Sequence, residues 1–335
     1  MPKFRGRTEE WLDDQRSKQS RGPKKKSGPK ESPPLPPEEA NGTVAEVFPG
    51  QCRVRIDTGG ARLCSYRRAN VMAPNPDGIR ERSPVAVGDR VKITSNDPQS
   101  GVVEGICERS NYLARPAPDR DEGMIHVMAT NLEAVVAVAS TRNPDFSSGL
   151  LDRFLVAADR GGIAPVIVIT KTDLLPSGDA RPWKLYTDLG FELFEVSSRD
   201  GIGVDAVRAR LKGRKVAFCG HSGVGKTSLL SRLVGHSVGR VGDTSDTGKG
   251  RHTTTSAILI EVDDGSAWID MPGVREFGLV GVTPERLAAH FPELREQPWA
   301  IEERVPNAEE LEALSSLPRM ASYRRILQSL LDGEH

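Results

Sequence analysis

Two kinds of hydrophobic patterning divide the chain. Between residues 41 and 117, short β-type runs at 42–47, 52–56, 61–66, 89–93 and 101–107 are separated by turns rich in Gly, Pro and Asp. Five short strands with turns of that chemistry predict a small barrel of the OB type. Residues 115–123 read as a linker. Beyond it, the runs AVVAVAS at 134–140 and PVIVIT at 165–170 are apolar without alternation, which predicts parallel strands covered on both faces. A 3.6-residue pattern at 150–160 predicts the helix between them. The alternation continues with helix 182–189, strand 191–196, helix 203–211, strand 215–219 and helix 226–233. Strands at 256–262 and 266–269, joined by the Asp263-Asp264-Gly265 turn, complete an α/β sheet. From Thr283 the pattern is helical, with Thr283 as N-cap and Pro284 at the first helical position. Leu287, Phe291, Leu294, Leu311, Leu314, Leu317, Tyr323, Ile326, Leu327, Leu330 and Leu331 read as contacts between these helices, with a surface for a partner as the alternative. The expected fold class is multidomain, with a tail over 1–40, an N-terminal OB-type β-barrel over 41–117, a central α/β domain over 118–282 and a C-terminal α-helical extension over 283–335.

Composition changes this picture at the N-terminus. The 335 residues balance 46 Lys and Arg against 46 Asp and Glu. The first thirty, however, hold ten basic and four acidic residues, and the proline cluster Pro33-Pro34-Leu35-Pro36-Pro37 follows. Such a segment cannot bury enough apolar surface to fold alone, so disorder is expected over 1–40. A basic arm of this kind can neutralise nucleic-acid phosphates, or it can be a solvated tail without a partner. Arg53, Arg55, Arg62, Arg67, Arg68 and Lys92 lie in or beside the barrel strands and suit a surface that follows a phosphate backbone, although charged outer faces are general in small barrels. No apolar run nears the roughly 18 residues of a membrane span, and residues 1–30 are too charged for a secretory signal. A cytoplasmic protein with no membrane partner is expected. Cys52, Cys64, Cys107 and Cys219 lack C-x-x-C spacing and read as small buried hydrophobes.

Candidate chemistry centres on Gly220-His221-Ser222-Gly223-Val224-Gly225-Lys226-Thr227, a match to the phosphate loop G-x-x-x-x-G-K-[ST] between a predicted strand and a predicted helix. Glycines let successive N–H groups point into one concavity, the helix N-terminus adds partial positive charge, and Lys226 can reach the outer phosphates. Ser228, next in the helix, is counted with the loop. Thr227 would hold Mg²⁺, the one cofactor expected, through its hydroxyl. The alternative is a Gly-rich turn without a ligand. Asp270-Met271-Pro272-Gly273 follows an apolar strand as D-x-x-G, placing Asp270 beside the metal and Gly273 where its N–H can sense a γ-phosphate. A strand-end Asp can also cap a turn. Thr170-Lys171-Thr172-Asp173 ends another buried strand and resembles the guanine-reading N-K-x-D, with Thr170 where Asn is commoner. A carboxylate there accepts from guanine N1–H and the 2-amino group, a donor pair that adenine lacks. Ser197-Ser198 at the next strand end fits the loop that closes over the base, or a turn cap.

In a Ras-like GTPase the phosphate loop comes first and the base-reading loops last, whereas here Thr170 to Asp173 and Ser197-Ser198 precede Gly220. A site depends on where strand ends converge and not on chain order, so the chain looks like a circularly permuted P-loop GTPase. Over residues 41–283 it resembles the circularly permuted, small ribosomal subunit-dependent GTPases of the RsgA (YjeQ) family. The resemblance is carried by the barrel, NPDFSSGLLDRFLVAA at 143–158, TKTDLL at 170–175, GHSGVGKTSLL at 220–230, KGRHTTT at 249–255 and DMPGVREFGL at 270–279. It implies an OB-fold, a permuted GTPase and a C-terminal zinc-binding domain. It also implies a role in late assembly of the small ribosomal subunit, with GTP hydrolysis triggered by the ribosome and with GTP, GDP, the small subunit and its rRNA as partners. The chain departs from the family in one respect. No Cys follows Cys219, and after His290 the only His is His335, so four zinc ligands cannot be assembled. A metal-free helical extension is expected, and no zinc.

Ras-like enzymes carry a water-orienting Gln directly after D-x-x-G, and Val274 stands there instead, so intrinsic turnover is expected to be slow. The candidate catalytic residues are Lys226 for charge and His252, in Gly250-Arg251-His252-Thr253-Thr254-Thr255, for positioning the attacking water. His252 can equally be a loop residue with no catalytic task. Thr254 is the candidate to complete the Mg²⁺ shell in the triphosphate state. The leading reading is a monomeric GTPase switch in ribosome biogenesis that binds rRNA through barrel and tail. The alternative is an RNA-binding assembly scaffold that holds guanine nucleotide without significant hydrolysis. An adenylate-specific enzyme is disfavoured by Asp173.

Overall fold

Inward-facing apolar residues close five strands into a barrel. The structure, a computed structural model, describes residues 33–66, 79–95, 97–117, 124–238, 257–272 and 279–333. Its first strands are β1 (Gly42–Phe48), β2 (Gln51–Ile56), β3 (Ala61–Ser65), β4 (Arg80–Glu81), β5 (Arg90–Thr94) and β6 (Ser100–Ile106). Neighbours run β1-β2-β3-β6-β5, and β5 returns to β1 with Gly42 opposite Val91, so no barrel edge is left open. Val44, Cys52, Val54, Cys64, Val91, Ile93, Val103 and Ile106 fill the interior. Burial pushes the Cys52 thiol up to about 12, so it packs as an apolar group.

The disorder expected over 1–40 does not extend to 33–40. Leu35 N donates to Ile106 O at 2.9 Å, and Lys92 Nζ lies 2.6 Å from Glu39. Prolines with preset φ lose little chain entropy on docking, which offsets the low apolar content of this stretch. Residues 1–32, Arg67 and Arg68 lie outside the described residues.

The linker expected over 115–123 begins inside a strand. β7 (Tyr112–Pro116) and β8 (Met124–Thr130) form a hairpin with Leu113 opposite Ala129 and Arg115 opposite His126, and β4 runs parallel to β8. Arg115 and His126 interrupt the apolar alternation by which such strands are recognised. A buried cluster ties this sheet to the barrel: Arg109 Nε donates to Asp89 Oδ1 at 2.8 Å, Arg109 Nη1 to Glu81 Oε1 at 2.7 Å, and Thr130 Oγ1 to Asp89 at 2.8 Å.

The second half is a sheet of β9 (Ala134–Ser140), β10 (Ala164–Thr170), β11 (Glu192–Glu195), β12 (Lys215–Gly220), β13 (Ile258–Glu261) and β14 (Ala267–Asp270). The order is β11-β10-β9-β12-β14-β13, parallel except for β13, which also pairs with β1 at Glu46 and so joins the barrel to this sheet. Val135, Ala137, Ile167 and Ile169 share a core with Leu151, Phe154 and Leu155 of α1 (Ser148–Arg160). The alternate positions Val136, Val138, Val166 and Val168 pack with Val207 of α3 (Val204–Leu211) and with Leu229 and Leu230 of α4 (Lys226–Val234). Burial on both faces is why these strands read as unbroken apolar runs. A short α2 (Lys184–Asp188) precedes β11.

The helix expected to start at Thr283 and Pro284 is absent. Arg286 N bonds Thr283 O at 3.1 Å in a turn, and a single 3₁₀ segment, Leu287–His290, follows. Pro292 excludes the α conformation from Phe291, which is extended at φ −113°, so the segment is too short for an α-helix. Three helices follow, α5 (Pro298–Ile301), α6 (Ala308–Ala313) and α7 (Met320–Leu331). Phe291, Leu294, Trp299, Tyr323 and Ile326 pack together and onto Val156 of α1. Leu331, expected in this core, is 52% exposed at the end of α7.

Arg319 anchors the C-terminal unit. Its guanidinium is buried 2.9 Å from Asp152 of α1, 3.5 Å from Glu293 and 4.4 Å from the Phe291 ring centroid. Removing one member of a buried ionic group leaves the others unpaired, so Arg319→Ala is expected to destabilise the chain by about 3–5 kcal/mol, read as a lowered denaturant midpoint. An unchanged midpoint would show that the C-terminal unit docks without this contact.

Candidate functional site

Parallel strands bring their C-terminal ends to one edge, where α/β folds bind ligands. β12 ends at the buried Gly220, loop 221–225 follows, and α4 starts at Lys226. Gly223 and Gly225 have φ of 84° and 92°, which other residues rarely adopt. A Cβ on Gly220 would stand 2.7 Å from Val138 O, so that position requires glycine. Val224 is buried and pins the loop to the core beneath. His221 places Nδ1 2.8 Å from Ser222 O, while Ser222, Thr227 and Ser228 are exposed at the mouth of α4.

Lys226 is 9% exposed, and its ammonium pairs with Asp270 at the end of β14, the strand beside β12. Met271 N donates to Phe218 O at 3.2 Å and fixes the turn after Asp270. Beneath this pair Cys219 is buried, which pushes its thiol up to about 12. It is a packing group rather than a nucleophile.

Thr170 ends β10, two strands from β12, with Oγ1 3.1 Å from Ala139 O and in contact with Val224 O. Lys171 adopts φ 57°, and its ammonium donates to Gly223 O at 2.6 Å and to Asn143 O. The stretch 170–173 and the loop 220–225 are thus bonded to each other directly. Asp173 sits in the 3₁₀ turn Thr172–Leu174, and Thr172 N donates to Val196 O at 3.3 Å. Ser197 Oγ is 3.0 Å from both Asp173 Oδ1 and Asp200 Oδ2, and its single hydrogen serves one carboxylate at a time. Ser198 Oγ is buried without a hydrogen-bond partner.

Three contributors escaped the sequence reading. Thr141 Oγ1 donates to Lys171 O at 2.6 Å, Asn143 supplies the carbonyl that holds the Lys171 ammonium, and Asp200 shares Ser197. Their shared signal was position just after a strand end, and Asn143 also opens the stretch NPDFSSGLLDRFLVAA that carries the family resemblance. Gly273, His252, Thr254 and Val274 lie outside the described residues.

Carboxylate and hydroxyl oxygens, the donors present at Asp270 and Thr227, suit a hard cation such as Mg²⁺. No group of three or more His, Cys, Asp or Glu able to hold a metal exists among the described residues. A cation here would therefore depend on phosphate oxygens and water, as Mg²⁺ does at nucleotide sites. Among the described residues no helix is long and apolar enough to cross a membrane.

A model of the RsgA GTPase family matches residues 106–280. The small ribosomal subunit biogenesis GTPase RsgA of Pseudomonas aeruginosa is 35% identical over 312 residues, covering 89% of this chain and 87% of the relative. That of Shewanella oneidensis is 34% identical over 279 residues, covering 81% and 76%. The chain belongs to the RsgA GTPase family. The crystal structure of YjeQ from Thermotoga maritima superposes with a TM-score of 0.64 at 26% identity, over 87% of this chain and 98% of that one. YloQ, described as a circularly permuted GTPase, gives a TM-score of 0.60 at 23% identity over 88% and 96%, a likeness of fold. Membership makes this chain a GTP-hydrolysing enzyme, and the barrel followed by a permuted GTPase fold is the architecture these neighbours share.

For an RsgA-type site, Asp173→Asn replaces an acceptor by a mixed donor and acceptor. GDP affinity is expected to fall roughly a hundredfold, about 3 kcal/mol, while xanthosine diphosphate, whose 2-oxo group matches the new donor, gains affinity. Titration calorimetry with both nucleotides checks this. Unchanged GDP binding would remove Asp173 from base recognition.

Proposed function

We propose that this chain is a guanine-nucleotide switch in late maturation of the small ribosomal subunit, which binds GTP between Asp173 and Lys226 and hydrolyses it when engaged by the subunit. The direct bond from Lys171 to the phosphate loop carries this reading, because it sets the spacing between the base-reading and phosphate-binding ends of one ligand. The curated relatives' names refer to small-subunit biogenesis, which supports the ribosomal partner. On this reading the chain works in the cytoplasm, as a monomer.

Thr170, Lys171, Thr172, Asp173, Ser197 and Ser198 are assigned to the base. The loop from Gly220 through Gly225, with Lys226, Thr227, Ser228 and Gly273, is assigned to the phosphates. Asp173 accepts from guanine N1–H and the 2-amino group, and Ser197 holds its carboxylate in place. Lys226 exchanges Asp270 for the β- and γ-phosphates, which frees Asp270 towards the metal side. Thr227, Asp270 and, in the triphosphate state, Thr254 would hold Mg²⁺, which neutralises charge developing on the phosphates. Val274 cannot orient water, and His252 is assigned that task once the subunit is bound.

Domain boundaries are proposed at residue 41, just before β7, and at 283. The first internal boundary moves from 117 because Leu113, Met128 and Ala129 pack in the core of α1 and not in the barrel. The C-terminal unit is assigned an apolar core in place of a zinc site.

GTP turnover is expected to be slow alone and to rise at least about a hundredfold with small subunits, with His252→Ala abolishing the rise but not GTP binding. A rate indifferent to subunits, despite co-sedimentation, would favour the scaffold reading instead. Dialysis against a zinc chelator is expected to leave the melting temperature unchanged, and a fall would restore a metal to the C-terminal unit.

A further inference from the structure

Asp152 of α1 is completely buried, yet one of its oxygens serves two separate parts of the chain. Tyr186 of α2 donates its phenol hydrogen to Asp152 Oδ1 at 3.0 Å, and Arg319, at the start of α7, brings Nε to 2.9 Å from the same atom. The Arg319 guanidinium also lies 5.8 Å from the Tyr186 ring centroid. These three side chains make one contact between α1, α2 and the C-terminal unit.

α2 braces the two stretches assigned to the base. It follows the turn that holds Asp173 and precedes β11, which leads into Ser197. Phe191 N donates to Tyr186 O at 2.9 Å as the chain approaches β11, and Trp183 Nε1 donates to Glu195 Oε1 at 2.7 Å where that strand ends. Val196, next in the chain, accepts from Thr172 N. Phe146, three residues after Asn143, sets its ring edge-on against Trp183 at 5.5 Å and Tyr186 at 6.4 Å. A shift of Tyr186 therefore reaches the turn of Asp173, the loop of Ser197 and the carbonyl that holds Lys171.

What holds Tyr186 is an acceptor whose strength depends on Arg319. Burial raises the Asp152 carboxyl, and the charge of Arg319 is the largest influence opposing that rise. Glu293, 3.5 Å from Arg319, brings a second carboxylate to the same guanidinium. With the C-terminal unit withdrawn from α1, the Asp152 carboxylate would lack its counter-charge, and it would take up a proton or turn towards water. A hydrogen bond to an ionised acceptor is roughly twice as strong as a neutral one, so either response weakens the hold on Tyr186.

We propose that Asp152 is a positioning residue through which the docked C-terminal unit sets the affinity for guanine nucleotide. Arg319 and Tyr186 meet on Asp152, and α2 passes the constraint to both base-reading stretches. Withdrawal of the C-terminal unit would loosen the guanine end of the ligand, while the phosphate loop keeps its own supports in the packing of Val224 and the pairing of Lys226 with Asp270. By linkage, guanine nucleotide must strengthen the docking of the C-terminal unit by the same factor. The proposal rests on the assignment of Asp173 and Ser197 to the base.

The test uses the full chain with Mg²⁺ and two probes, GDP and inorganic pyrophosphate, of which the second engages the phosphate loop alone. Tyr186→Phe removes the hydroxyl and keeps the ring. In this variant GDP affinity is expected to fall about five- to tenfold, and pyrophosphate affinity to stay within about twofold. Hydrogen exchange at the α7 amides reads the reverse direction. Saturating GDP is expected to slow it by a similar factor and pyrophosphate is not, and in Tyr186→Phe the slowing by GDP is expected to disappear. A purely structural Tyr186 would weaken both probes alike and leave α7 indifferent to GDP, and that result overturns the proposal. So does a slowing by GDP that survives in Tyr186→Phe. Asp173→Asn separates the coupling from the base assignment. Unchanged GDP affinity in that variant removes the assignment and the proposal with it, whereas Asp173-dependent GDP binding with α7 exchange unmoved overturns the coupling alone.

Discussion

The Lys171 ammonium, lying across the phosphate loop and bonded to the carbonyls of Gly223 and Asn143, holds the site together. On the proposed assignment, guanine recognition and phosphate recognition fall on different strands, β10 and β12, separated by β9. Two interstrand spacings amount to roughly 9.6 Å, so the separation is set by the sheet. What the sheet cannot set is the height of each loop above its strand, and Lys171 fixes that. It reaches the loop because its own backbone is left-handed and because Thr141 holds its carbonyl. A strained non-glycine conformation at this position is maintained by contacts on three sides, which is where strain is expected in functional loops.

The permuted order becomes unremarkable once the sheet is known. β9 and β10 precede β12 in the chain, yet β9 is the central partner of both, and parallel pairing aligns all three C-terminal ends. Opening the chain elsewhere changes which loop is encoded first and leaves the converging strand ends where they were. The barrel sits at the edge of this sheet. β13, antiparallel at the sheet edge, pairs with β1, so an otherwise exposed edge is covered by the N-terminal unit. Ile258 faces both Glu46 of the barrel and Asp270 of the nucleotide site, which makes β13 the shared element between the two units.

Legibility followed the strength of local signals. The barrel strands, the buried parallel strands and the phosphate loop were readable because period, turn chemistry and glycine spacing agree there. The β7–β8 hairpin was not, since Arg115 and His126 sit where apolar residues would announce it. The helix start at Thr283 had a good cap and a good first residue, but Pro292 cut the segment short. Within the proposed site, Lys226, Asp270 and Asp173 are legible in the sequence because their assignment is tied to motif spacing. Asn143 and Asp200 are not, because one acts through a backbone carbonyl and the other through a shared hydroxyl.

The central claim is that Asp173 and Lys226 hold opposite ends of a single guanine nucleotide. A crystal structure of the chain with GDP and Mg²⁺ tests it most directly. Guanine N1 and the 2-amino nitrogen are expected within about 3 Å of the Asp173 carboxylate, with the β-phosphate at a similar distance from Lys226 Nζ. A base lodged away from Asp173 while the phosphates occupy the loop would contradict the account.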